Sequence, residues 1–186
     1  MKVFLTSDHH FFHSRIIGYC NRPFQNEADM NTELISRWNL SIENDDVVFH
    51  IGDLSAGIGK RSEELQQIIS ELNGQKFLIR GNHDHQPDEW YLQSGFKKVF
   101  DFVNLGGVLL VHYPLQVAIE RGLKLDNAAI VDHVIHGHTH TVDTADHENH
   151  FNVAVDRHNF APVTYEKAIP QQLHKNFLEA ISNVIL

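Results

Sequence analysis

Short apolar, β-branched runs alternate along this chain with longer segments of helical periodicity, a pattern that few architectures other than strands laid into sheets and covered by helices can accommodate. The runs at 2–7, 46–51, 76–80, 97–102, 108–112, 133–136, 151–155 and 163–168 read as strands. Segments 27–39, 62–72 and 171–184 read as helices, with a weaker helix at 88–93. In the last long helix Leu173, Phe177, Ile181 and Val184 fall on one face, four or three residues apart, as an amphipathic helix requires. Eight strands are too many for one small sheet, so the expected class is α/β.

A chain of 186 residues with 42% hydrophobic and 21% charged residues has the size and composition of one globular domain, spanning residues 1–186. There is no repeat and no Pro/Gly-rich linker, and 141–149 reads as a polar surface loop or hairpin. No apolar run approaches the roughly 18 residues that span a bilayer, so no membrane partner is expected. The apolar stretch after Met1 is too short for a secretory signal, and the mature chain is expected to begin there. Cys20, the single cysteine, allows no internal disulfide, which makes the cytoplasm the expected location. A net charge of −9 argues against broad attraction to nucleic acid, because affinity for that polyanion comes from Lys and Arg. Small ligands fit better. The 15 histidines, as many as Lys and Arg together, are dispersed rather than clustered as a tag, and they ask for a metal.

The strand ends say where such a metal would sit. The first run ends in Asp8-His9-His10, the second in Gly52-Asp53, the third in Gly81-Asn82-His83-Asp84, a later one in His112, and another in Gly137-His138-Thr139-His140. In open α/β sheets ligands gather beyond the carboxyl ends of strands. On an extended segment residues i and i+2 point the same way, so Asp8 with His10, and His138 with His140, can each present two ligands to one site. The glycines permit sharp turns and close backbone approach. Seven candidate ligands follow: Asp8, His10, Asp53, Asn82, His112, His138 and His140. If Asp53 bridges, two ions receive four protein contacts each, with positions left for water and substrate. This mixed nitrogen and oxygen set suits two divalent transition ions, manganese foremost, with iron, zinc, nickel or cobalt also suited.

This ordered set resembles the calcineurin-like metallophosphoesterase family, motif by motif and over nearly the whole chain. The segments 6–13, Cys20-Asn21-Arg22-Pro23-Phe24 and His112-Tyr113-Pro114-Leu115 are similar to short bacterial and phage members. The resemblance implies a four-layer αββα sandwich of two mixed sheets flanked by helices, with the metal site at the carboxyl ends of the strands. It also implies that Asp8, His10, Asp53 and His140 hold one ion and Asp53, Asn82, His112 and His138 the other.

The expected activity is hydrolysis of a small phosphomonoester or phosphodiester by hydroxide drawn from a water between two metals. His83, beside the ligand Asn82 but not itself a ligand, is the candidate catalytic group, as proton donor to the leaving oxygen or stabiliser of transition-state charge. Asp84 either orients His83 or shapes the turn. His13 and Arg22 are placed to contact a substrate phosphate, with a surface or capping role as the alternative. His50 and His136, inside apolar strands, are hydrogen-bonded core groups or partners that orient a ligand. His9, His85, His133, His147, His150, His158 and His174 hold no motif position and are expected to be structural or exposed. Phe11 and Phe12 read as packing, and Cys20 as an inert apolar residue. Two alternatives remain. One is a β-lactamase-like metallohydrolase, poorly matched because Asp143 falls one position late for its His-x-His-x-Asp-His signature. The other is a non-catalytic metal-binding module.

Overall fold

In the computed structural model, which describes residues 1–56, 59–126, 129–142 and 148–185, the strands are β1 (Val3–Thr6), β2 (Val47–Ile51), β3 (Gln75–Ile79), β4 (Phe96–Phe100), β5 (Phe102–Leu105), β6 (Val108–Val111), β7 (His133–His136), β8 (His150–Asn152) and β9 (Val163–Thr164). The central strands are apolar on both faces, and that decides the layering. In β2, Val47, Phe49 and Ile51 enter one buried cluster while Val48 enters another; β1 and β3 divide in the same way. A sheet with two apolar faces must be covered twice.

One sheet has the order β4-β3-β2-β1-β9, parallel except for the antiparallel β9. The other has the order β5-β6-β7-β8, parallel except for β5. The inner faces meet in a cluster containing Leu5, Phe49, Phe77, Leu110 and Ile135, which Phe177 and Ile181 of α7 (His174–Ile185) close. The outer face of the first sheet is covered by α2 (Glu27–Ser41), α3 (Ser62–Glu71) and α4 (Asp88–Ser94) through Leu34, Trp38, Leu65, Ile69 and Tyr91. The outer face of the second packs Leu109 and Val134 against Ala118 of α5 (Leu115–Glu120). Two mixed sheets flanked by helices are thus the observed architecture, as expected.

Several boundaries differ from the sequence reading. The run 97–102 is not one strand: the chain leaves β4 at the exposed Asp101 and enters β5 of the other sheet. No glycine or proline marks that crossing, so the local pattern hides it. The run 151–155 stops early because the Asn152 side chain accepts from the Ala154 N–H at 2.8 Å, a local turn that competes with the ladder. In 163–168 only Val163–Thr164 pair; Tyr165–Ala168 form the short helix α6. Two helices of six residues, α1 (Ser14–Tyr19) and α5, were not expected, being too short to display a period. The loop expected at 141–149 lies mostly outside the described residues, as does His147.

Candidate metal centre

Asp8 and His10 follow β1, Asp53 follows β2, Asn82 follows β3, His112 follows β6, and His138 and His140 follow β7. The way they converge corrects the sequence argument. Asp8, His10, Asp53, His138 and His140 have φ of 60, 52, 57, 68 and 48°, so left-handed turns aim these side chains, not the pleat of an extended strand. Each such residue costs about 1–2 kcal/mol, and such strain concentrates where function fixes the backbone. His138 and His140 consequently do not serve one point. The donor atoms of Asp8, His10 and His140 form one group within 4.8 Å of one another, and those of Asp53, His112 and His138 form a second.

The turns are locked by hydrogen bonds. The Asp8 N–H donates to the Gly52 carbonyl at 3.0 Å and the His10 N–H to the Asp53 carbonyl at 3.1 Å. In return the His138 N–H donates to the Asp8 carboxylate at 3.0 and 3.1 Å, and the His83 N–H to Asp53 Oδ1 at 2.9 Å. Two glycines are dictated by this packing: a side chain at Gly137 would strike the Asp8 carboxylate and Ser7, and one at Gly81 would strike Asp53.

The geometry suits ions. Asp53 Oδ2 lies 3.5 Å from His10 Nε2 and 3.4 Å from His112 Nε2. His140 Nε2 is 3.7 Å from Asp8 Oδ1, and Asn82 Oδ1 is 3.2 Å from His112 Nε2. Two donors each about 2.1 Å from one ion, 90–110° apart, are separated by roughly 3.0–3.4 Å, so a small contraction would seat a cation in either group. Among the described residues the buried His10 Nε2 finds no hydrogen-bond partner, an arrangement whose cost an ion would remove. His112 donates its Nδ1–H to the Ile51 carbonyl at 2.9 Å, which turns Nε2 into the site as the ring nitrogen a metal would meet.

The electrostatics are uneven. Burial pushes the Asp8 carboxyl up and pushes His10 well below the usual imidazole range. Burial lowers His138 to about 4. Burial would raise Asp53, but the hydrogen bond and charge of His112 hold it far below the carboxylate range. His112 in turn rises to about 9, the Asp53 carboxylate outweighing its burial.

His83 stands at the mouth, its side chain 39% exposed, with Nε2 4.0 Å from Asp53 Oδ2. Its ring lies 5.2 Å from that of His10 and 6.2 Å from that of His13. His83, His10 and Asp53 also fall within ligand distance of one another. Asp84 does not orient His83. Its buried carboxylate accepts from the backbone N–H groups of Asp53, Leu54 and Gly81 at 2.8, 3.1 and 2.8 Å, which ties the second strand-end turn to the third. His13 reaches the far side of His10, Nδ1 to Nδ1 at 3.4 Å. His50 is a core group, Nε2 2.9 Å from His9 Nδ1 and stacked near Trp38, and His136 bonds the Gly137 carbonyl at 2.9 Å. His133, His158 and His174 each donate to a backbone carbonyl.

Arg22 is neither a surface group nor a substrate contact. Its buried guanidinium grips both oxygens of Asp156 at 2.8 Å and donates to the carbonyls of His9 and Asp8 at 2.8 and 2.7 Å. Asp156 Oδ2 then accepts from His140 Nδ1 at 2.7 Å, turning His140 Nε2 toward Asp8, and with Cys20 this raises His140 to about 10 despite its burial. Asp156 belongs to no motif and was missed: it lies 134 residues from Arg22, and nothing local announces the pair. Cys20, expected to be inert, sits against His140 and Asp156 within ligand distance.

A family model described as the calcineurin-like phosphoesterase superfamily domain matches residues 1–155. An uncharacterized protein of Methanocaldococcus jannaschii is 32% identical over 173 residues, covering 89% of this chain and 88% of that one. The gene 66 protein of Mycobacterium phage L5 is 30% identical, covering 75% of this chain and 78% of its own length. Among solved structures, a protein of unknown function from Aquifex aeolicus superposes with a TM-score of 0.65 at 21% identity, over 89% of this chain and 96% of that one; it speaks for the fold alone. The family match sets aside the β-lactamase-like alternative.

Proposed function

Because the chain belongs to the calcineurin-like phosphoesterase superfamily, we propose that it is a metal-dependent phosphoesterase hydrolysing a small phosphomonoester or phosphodiester, with Asp8, His10, Asp53 and His140 holding one divalent transition ion and Asp53, Asn82, His112 and His138 the other. One observation carries the reading: a single carboxylate oxygen, Asp53 Oδ2, lies 3.5 and 3.4 Å from the Nε2 atoms of His10 and His112, one from each side of the site. When bound, two such ions would polarise phosphoryl oxygens and bring water deprotonation near neutrality, and manganese is among the ions that this mixed nitrogen and oxygen set suits.

The remaining work falls to the protein. Asn82 offers a neutral carbonyl oxygen, so two carboxylates face two dications and the site keeps a net positive charge for an anionic substrate. The backbone hydrogen bonds to Asp8 and Asp53 fix the donors before substrate arrives. His83, half-exposed at the mouth, donates a proton to the leaving oxygen. The chain's acidity and lone cysteine support a small diffusible ester and a cytoplasmic location.

The test is hydrolysis of p-nitrophenyl phosphate and its bis-ester with added Mn, followed by metal analysis of Asp53→Asn. The reading expects turnover that chelation abolishes, and loss of both ions together in the variant. Metal binding without turnover would favour the non-catalytic module, and two ions retained in Asp53→Asn would refute the shared carboxylate.

A further inference from the structure

A cleft of about 560 Å³ opens beside the metal centre and shares Asn82 and His112 with it. It is larger than the space directly over the candidate ligands, about 360 Å³, and it falls in the range of pockets that take whole small molecules. Its floor is apolar, made by Phe102, Val111 and Ala118. Tyr113 stands at the junction, its ring 4.5 Å from that of His138 and 5.1 Å from that of His112. The wall also carries cations. Arg121 lies with its guanidinium 4.5 Å from the centre of the Tyr113 ring, and the exposed Lys124 follows. Arg80 adds positive field, although its guanidinium is engaged with the carbonyls of Asp84 and Gln86 and with Asp88. With Arg80 paired to Asp88, Arg121 and Lys124 face Asp101 among the described residues of this wall, a local positive excess in a chain with 24 acidic and 15 basic residues.

Beside the candidate metal ligands, which would take the scissile phosphate, the cleft thus offers an apolar surface for the body of a substrate and a cationic group for a second anion. A simple alkyl or aryl ester would use the first two parts. A sugar bisphosphate would use the first and third, and leave the apolar floor without a partner. Building on the phosphoesterase reading, we propose that this cleft selects a nucleotide ester carrying a second phosphate, with the base over the apolar floor beside Tyr113 and the second phosphate on Arg121 and Lys124. Stacking on Tyr113 holds the Arg121 guanidinium in place, so its donors are oriented before the anion arrives. Charge-assisted, bidentate contacts of this kind are about twice as strong as neutral hydrogen bonds.

Calorimetric titration of the Mn-saturated protein tests this with three probes: a nucleoside 3′,5′-bisphosphate, the corresponding nucleoside 5′-monophosphate, and ribose bisphosphate lacking the base. The expected result is binding of the nucleoside bisphosphate roughly tenfold or more tighter than either other probe. In the double variant Arg121→Ser/Lys124→Ser its advantage over the monophosphate should shrink to under about threefold. Both replaced side chains are exposed, and circular dichroism verifies that the variant is folded. Equal binding of the three probes, or an advantage that survives removal of both cations, overturns the proposal. If the wild type cleaves p-nitrophenyl phosphate yet shows no bisphosphate preference, the cleft proposal falls and the phosphoesterase reading stands. If it cleaves no ester, that reading falls while the binding comparison still decides the cleft.

Discussion

Replacing Asp156 by Asn isolates the link between the buried ion pair and the metal centre. The carboxylate meets Arg22 through two bonds of 2.8 Å and His140 through one of 2.7 Å, with the Arg22 and Asp156 side chains 0% and 1% exposed. Removing one charge of such a pair leaves the guanidinium uncompensated, a loss of about 3–5 kcal/mol; the isosteric amide keeps one acceptor, which places the expected loss near 3 kcal/mol. For a chain of this size that lowers Tm by roughly 6–12 °C. A general loss of stability would affect both metal groups alike, but Asp156 orients only His140. The specific expectation is that affinity falls about 10–100-fold for the ion held by Asp8, His10 and His140, while the ion held by Asp53, Asn82, His112 and His138 keeps its affinity. Metal titration followed by elemental analysis, with urea unfolding of the metal-free protein, reads both quantities. Two ions bound as in the wild type would refute the positioning argument, whatever happens to Tm.

His83→Ala should keep both metals and lower kcat by roughly 10²–10⁴, with alkyl phosphates losing more than nitrophenyl phosphates; a lost ion in the elemental analysis would instead make His83 a ligand. Activity removed by chelation should return with Mn, Co or Ni and not with Ca, whose preference for oxygen donors mismatches four histidines. Lys76 tests a site far from the chemistry. Its buried ammonium donates to the carbonyls of Leu72 and Gly74 at 2.6 and 3.3 Å, and burial, aided by Lys97, lowers it to about 8 from 10.5. Between those values the unfolded chain binds more protons than the folded one, so the wild type should gain stability over Lys76→Met as pH rises through this window. The gain should be roughly 2 kcal/mol after allowance for screening. Urea midpoints that shift in parallel for the two proteins across that range would rule this out.

The sequence alone expressed the alternation of strands and helices and the set of candidate donors, because both are written in local signals. Apolar runs such as Val47–Ile51 are buried on both faces wherever they pair, and Asp, Asn and His placed at their ends with glycine beside them are legible as donors before any strand is assigned to a sheet. What the sequence could not express is decided across distance. The run through Asp101 carries one uninterrupted pattern, yet the chain changes sheets there, since sheet membership depends on partners that β4 and β5 find elsewhere. The left-handed turns at Asp8, Asp53 and His138 are stable only because carbonyls and carboxylates of neighbouring strand ends meet their N–H groups, so these turns, and not the pleat of an extended segment, aim the side chains. Arg22 read as a phosphate contact or as a surface or capping group, because Asp156, the partner that buries it, lies 134 residues away. Local periodicity fixes which residues are apolar and which are donors; only the packed fold sets the distances at which charges pair and ligands converge.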